Sequence, residues 1–113
     1  MEFIMMNYVK VAETSQILPG NKLKITLENK EILLVNIQGT YYALNNKCPH
    51  MGGSLYDGTL EGNSVICPRH HSRFDLTTGE SIEGPKIMLM RFKVGNAETY
   101  PVKVEGYDIF IGI

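Results

Sequence analysis

The chain is sparing with the residues that fix many small folds. Its 113 residues include two cysteines, three histidines and no tryptophan. Two cysteines can form one disulfide at most, too few for a disulfide-stapled scaffold. No segment approaches the roughly 18 apolar residues of a membrane-spanning helix. No long stripe of apolar residues recurs at the helical period, which argues against a helical bundle. Charge of one sign is also lacking. The formal net charge of −1 excludes a general nucleic-acid binder and a polybasic membrane module. Internal repeats, low-complexity tracts and linkers are absent. The N-terminal stretch has Glu2 where a signal peptide carries positive charge, and Asn7 breaks its apolar run. The expectation is a soluble, cytoplasmic protein. A cysteine pair in that reducing compartment serves metal binding or catalysis more often than cross-linking.

What is present is β texture. Hydrophobic residues make up 43% of the chain, enough for one globular core. Strands are expected at Tyr8–Glu13, Lys22–Glu28, Glu31–Ile37 and Ser64–Cys67, with a further one through "YYALNN". Lys86–Val94, Thr99–Gly106 and Tyr107–Ile113 complete the set. Lys22–Glu28 alternates cleanly, with Leu23, Ile25 and Leu27 on one face. Glu31–Ile37 is continuously apolar, as a buried strand is. Asn29-Lys30 and Gly39-Thr40 mark turns. Pro101 places the start of its strand at an edge or bulge. "ETSQILPG" permits one helical turn opening at Thr14 or Ser15. The six methionines, Met88 and Met90 among them, read as core filling.

Residues 45–84 depart from this texture. They are rich in Gly, Pro, His and Asn, and they hold every histidine and both cysteines. A loop-rich insertion of this size in a compact domain is uncommon unless it is functional. The chain therefore reads as one domain, 1–113, with a subdomain at 45–84 carrying the site.

Within the insertion the pattern is Cys48-x-His50, sixteen residues, then Cys67-x-x-His70. Proline follows each cysteine and stiffens the backbone where a ligand is held. Gly52-Gly53 permits a sharp turn after His50. Two thiolates and two imidazoles suit a structural zinc ion. They also suit a [2Fe–2S] cluster in which one iron takes the cysteines and the other the histidines. Zinc fingers usually pair like with like and place the histidines on a helix, whereas each half here supplies one of each from a loop. Buried thiols with incidental histidines are the bland alternative. It requires four positions to meet both spacings by chance.

These loops, "CPHMGGSL" and "CPRHHSRFDLTTGE", resemble the two cluster loops of the Rieske family almost through their length. The chain as a whole is similar to small Rieske-type ferredoxins, such as those of aromatic-ring dioxygenase systems. The resemblance implies an all-β fold, an antiparallel sandwich or barrel with a small loop-rich cluster-binding subdomain. It implies that Cys48, His50, Cys67 and His70 hold the cluster, the cysteines deeper and the histidines near the surface. It places Met51, Gly52, Gly53, His71, Ser72 and Pro85 around the cluster, with Pro85 on a covering third loop, residues 83–86. Two simpler readings stand beside these. Ser72 reads equally as a loop hydroxyl, and Lys47, Arg69 and Arg73 read as a solvated face or as a basic docking rim. Asp75 is expected to cap a turn. His71 stands where the family commonly has glycine. It is expected to tolerate φ > 0, to be no ligand, and to have no counterpart in the first loop.

The implied function is one-electron transfer from a flavoprotein reductase to a terminal oxygenase or another reductase. The chain is not expected to be an enzyme itself, since it offers no second set of ligands for a mononuclear iron. A Rieske-like subunit of a larger reductase, similar to that of assimilatory nitrite reductase, is the second reading. A zinc-stabilised interaction module is the third. High-potential members of the family carry an inter-loop disulfide and a tyrosine that hydrogen-bonds the cluster cysteine. This chain has no third cysteine, and Phe74 stands in the tyrosine's place. Fewer hydrogen bonds to sulfur lower the potential. Redox titration is expected to give a midpoint below roughly +150 mV, in the lower part of the family range.

Overall fold

The computed structural model describes residues 7–49, 52–69, 71–84, 86–87, 90–91 and 95–113, the backbone alone at 86–87 and 90–91. Its strands are all antiparallel, and no α-helix occurs among the described residues. No helix there is long and apolar enough to cross a membrane.

The body begins with β1 (Tyr8–Glu13) and a 3₁₀ turn at Thr14–Gln16. Glu13 and Gln16 cap that turn reciprocally. Next come β2 (Lys22–Leu27), β3 (Lys30–Ile37) and β4 (Thr40–Asn45). Two-residue turns join them, Glu28-Asn29 between Leu27 and Lys30, and Gln38-Gly39 between Ile37 and Thr40. Both residues of each turn have positive φ, the geometry that matches the twist of a hairpin. Each turn lies one residue earlier than the sequence suggests. Glu28 and Gln38 accept positive φ because hairpin closure outweighs their local preference.

After β4 the chain enters the site region. A 3₁₀ turn at Leu55–Asp57 leads to β5 (Thr59–Glu61), β6 (Ser64–Ile66), β7 (Arg73–Asp75) and β8 (Ser81–Glu83). These form their own sheet in the order β5-β6-β7-β8. The stretch expected to be mostly loop thus holds a four-stranded sheet. Its strands are three residues each, too short to show an alternating pattern. Arg73 bonds across this sheet, to Glu83 on β8 (3.1 Å), Ser64 on β6 (2.9 Å) and Glu61 on β5 (3.3 Å). That commitment removes Arg73 from the basic rim.

Of the nine-residue strand expected at 86–94, the described residues form two short strands. β9 (Lys86–Ile87) and β10 (Met90–Arg91) pair with each other. That antiparallel pairing turns the chain back within the run, where a single strand would have continued. Met88 lies outside the described residues.

β11 (Thr99–Tyr100) joins the middle sheet, β11-β4-β3-β2. β12 (Val102–Glu105) and β13 (Asp108–Gly112) join β1 in a third sheet, β1-β13-β12. Pro101 lies between β11 and β12, where the chain leaves one sheet edge for another. A residue without N–H is tolerated there.

The middle sheet is apolar on both faces. Ile32, Leu34 and Ala43 pack with Ile109 and Ile111 of the third sheet. Leu33, Val35 and Leu44 pack with Cys48, Leu55, Val65, Cys67 and Phe74 of the site region. The continuous apolar run in β3 is the sequence mark of a strand covered on both faces. Asn36 ends that run, buried, donating to the Ile17 carbonyl (2.9 Å) and accepting from Gly39 N (2.8 Å).

Asp75 closes the β7–β8 connection. Its Oδ1 accepts from the Thr77 hydroxyl (2.6 Å), Thr77 N (2.7 Å) and Thr78 N (3.2 Å). The Thr77 hydroxyl is the largest cause holding this carboxyl below its ordinary value of 3.8. Folded Asp75 binds its proton more weakly than unfolded Asp75. Its stabilisation is therefore present above about pH 3.8 and lost as pH falls through the lower folded value. Asp75→Asn should lower the melting temperature at neutral pH, and the difference from wild type should shrink as pH drops below 3.8. Thermal melts across that range check it.

Candidate metal centre

The two cysteines sit on loops with the same backbone wiring. In the first, Cys48 N donates to Gly53 O (2.7 Å), and Gly52 N donates to Cys48 O (3.1 Å). In the second, Cys67 N donates to Ser72 O (2.8 Å), and His71 N donates to Cys67 O (3.1 Å). Each loop thus bonds a cysteine to the residues four and five positions on. The fourth position has positive φ in both, Gly52 at 69° and His71 at 61°. His71 therefore does have a counterpart, and it is Gly52. The equivalence is hidden in the sequence because one loop meets the requirement with glycine and the other with histidine.

Both cysteines are buried, Cys48 at 2% exposure and Cys67 at 1%, in the core beneath the middle sheet. No disulfide joins them. Pro49, Gly52, Pro68, Arg69 and His71 are exposed around them. The expected candidates His50, Met51, His70 and Pro85 lie outside the described residues. Among the described residues no three metal-binding side chains converge.

Gly53 marks the contact between the loops. A Cβ there would stand 3.0 Å from Cys67 Sγ and 3.1 Å from Arg69 Cγ. Its φ is not positive, so its glycine serves close packing rather than backbone freedom. Phe74 is fully buried in the core that holds both cysteines. It offers that core no hydroxyl.

Sequence reasoning missed Asn46, which fixes the first loop. Asn46 is 1% exposed. Its Nδ2 donates to Ser54 Oγ (2.9 Å) and its Oδ1 accepts from Tyr56 N (2.7 Å). Its backbone donates to Glu31 O (2.9 Å) and accepts from Leu55 N (2.8 Å). An asparagine before a Cys-Pro pair was the available signal, since a buried amide must find partners. Lys22 adds an outer tie. Its ammonium donates to the Gly58 carbonyl and lies 5.5 Å from the Tyr56 ring centre. Burial lowers its pKa.

Ser72 supplies the test of fit. Its hydroxyl is buried, its residue 1% exposed, and it has no hydrogen-bond partner among the described residues. A buried hydroxyl without an acceptor costs free energy. Ser72 immediately follows the loop of Cys67 and His70, where a sulfur acceptor of a cluster would satisfy it. A buried pair of soft donors beside an orphaned hydroxyl fits an iron–sulfur group.

Over residues 7–103 the sequence matches the Rieske [2Fe-2S] domain. The chain belongs to the Rieske [2Fe-2S] family. It is 36% identical over 106 residues to the ferredoxin component of the naphthalene 1,2-dioxygenase system of Pseudomonas putida, covering 94% of this chain and 95% of that one. It is 34% identical over 109 residues to the 3-phenylpropionate/cinnamic acid dioxygenase ferredoxin subunit of Shigella flexneri, covering 96% and 95%. Among solved structures it is similar to the ferredoxin of carbazole 1,9a-dioxygenase from Nocardioides aromaticivorans IC177. The TM-score is 0.77 at 28% identity, covering 92% of this chain and 95% of that one. The all-β antiparallel fold expected of a Rieske protein is the fold observed, and a Rieske [2Fe–2S] cluster is the cofactor of this family.

Gly53→Ala should destabilise the protein by about 1–3 kcal/mol, the usual cost of overpacking a tight contact. Chemical denaturation of wild type and variant measures it.

Proposed function

We propose that this protein is a one-electron carrier, a Rieske-type ferredoxin serving an oxygenase system. It is not an enzyme by itself. The observation that carries the reading is the pair of identically wired loops, each delivering a buried cysteine to one core, with the Ser72 hydroxyl left for a cluster acceptor. Relatives of similar extent that are named as ferredoxin components of dioxygenase systems support it. The physiological partners would be a flavoprotein reductase and a terminal oxygenase. We assign residues 1–113 to a single Rieske domain, with residues 45–84 as the cluster-binding subdomain inserted within it. We place the protein in the cytoplasm, where cysteines stay available as thiolates.

In this reading Cys48 and Cys67 would hold one iron as thiolates, and His50 and His70 would hold the other through imidazole nitrogen. When bound, the cluster supplies a centre that accepts and releases one electron at a potential above that of all-cysteine clusters. The protein's part is to keep that centre dry on its inner side. Leu33, Val35, Leu44 and Leu55 shield the cysteines from water. With the cluster bound, Ser72 would offer its hydroxyl as a donor, which would favour the reduced, more negative state. Met51 and Pro85 are assigned to the cluster surround from the family resemblance, and Gly52 and Gly53 set the first loop's shape. His71 stays off the iron, because its place in the loop is the one Gly52 fills in the other.

The deciding measurement is electron paramagnetic resonance of the dithionite-reduced protein. A Rieske-type signal with two irons per chain is expected. Cys67→Ser should abolish it, and His71→Gly should leave both signal and visible absorption intact. A colourless protein that binds one zinc ion would overturn the proposal.

A further inference from the structure

Arg69 lies between Cys67 and His70 in the second loop, and it is exposed. Its Cγ and Cδ lie 3.1 and 3.3 Å from the point where Gly53 would carry a Cβ. Cys67 Sγ lies 3.0 Å from the same point. The aliphatic stem therefore crosses from the second loop onto the first, beside the buried sulfur. A glycine at 53 is what lets it pass. Packing of the stem restricts where the guanidinium can go.

The charge it carries is uncompensated locally. Arg73 spends its charge on Glu61 and Glu83. Arg69 makes no ion pair among the described residues. Residues 46–54 and 66–72 contain Lys47 and Arg69 and neither aspartate nor glutamate. The loops are thus cationic on a chain whose net charge is −1. A guanidinium keeps its charge at every physiological pH.

We infer that Arg69, clamped across Gly53, makes the electron port of this protein cationic, so that its redox partners seat an acidic surface there. The inference rests on the cluster reading above. Within a Debye length of about 8–10 Å the local charge governs encounter more than the net charge does. An oppositely charged face then speeds association and fixes orientation.

The test uses two one-electron oxidants of opposite charge on the reduced holoprotein, followed by stopped-flow absorbance. Ferricyanide is an anion, and tris(phenanthroline)cobalt(III) is a cation. Each takes one electron from the cluster, giving ferrocyanide or cobalt(II), and the cluster returns to its oxidised state. A cationic port predicts that added salt slows ferricyanide and speeds the cobalt complex. The chain's net charge alone predicts the reverse. A change in midpoint potential moves both rates in the same direction, so the ratio of the two isolates port charge. R69E should lower the ferricyanide-to-cobalt ratio by about tenfold or more, the scale of electrostatic steering. R69Q should give an intermediate ratio, and R69K should retain the wild-type one. Lys103→Gln, at a lysine ion-paired to Glu105 on β12, should change nothing. A ratio and salt dependence in R69E and R69Q equal to wild type would sink the inference while the Rieske signal stands. Absence of that signal in the wild type would sink the cluster reading and the inference together.

Discussion

Asn46 holds the first loop to the middle sheet. Its two amide functions reach Ser54 and Tyr56, while its backbone reaches Glu31 and Leu55. One buried residue thereby ties the start of β3, the Cys48 loop and the 3₁₀ turn after it. A buried amide is costly when its partners are missing and specific when they are present. Cys48 is only two residues farther along the chain, so this anchor helps to place it.

The second dependence is a shared wall. β3 and β4 give one face to the body and the other to the sulfur-bearing core. The site is thus not an appendage on a finished domain. Cys48 and Cys67 replace two apolar side chains in a packed interior, and thiols are accepted there as small hydrophobes. The body gains cover for Leu33, Val35 and Leu44, and the site gains a rigid floor. The Arg73 bonds to Glu61, Ser64 and Glu83 stiffen the opposite side.

Much of this was legible in the sequence. The strands of the body show alternation or β-branched runs long enough to read, and β1 begins and ends where its pattern does. The Cys-Pro pairs located the loops, and Asp75 announced its turn as a carboxylate able to accept backbone N–H bonds there. What was hidden has physical causes. β5, β7 and β8 are too short for a period to emerge; β5 and β7 are held by pairing with β6, β8 by pairing with β7, and Arg73 ties all of them. The two hairpin turns were displaced by a residue because strand pairing set positive φ at Glu28 and Gln38, residues with no preference for it. The likeness of Gly52 and His71 depends on backbone angle, which residue names conceal. Asn46 looked like one more polar loop residue until its burial was known.

The two-sided burial of β3 leaves its alignment under-determined by hydrophobicity. A strand with one apolar face cannot slip by a residue without turning that face to water. Ile32, Leu33, Leu34 and Val35 would all remain apolar after such a slip. Alignment must come from elsewhere, and the ends of the strand supply it. Each closes in a two-residue turn that admits no extra residue, and Asn36 must meet Ile17 and Gly39 at once. These polar fastenings exclude alternative pairings that the core itself would tolerate. They also decide which side of the wall Leu33 and Val35 face, and so which residues lie against the sulfurs.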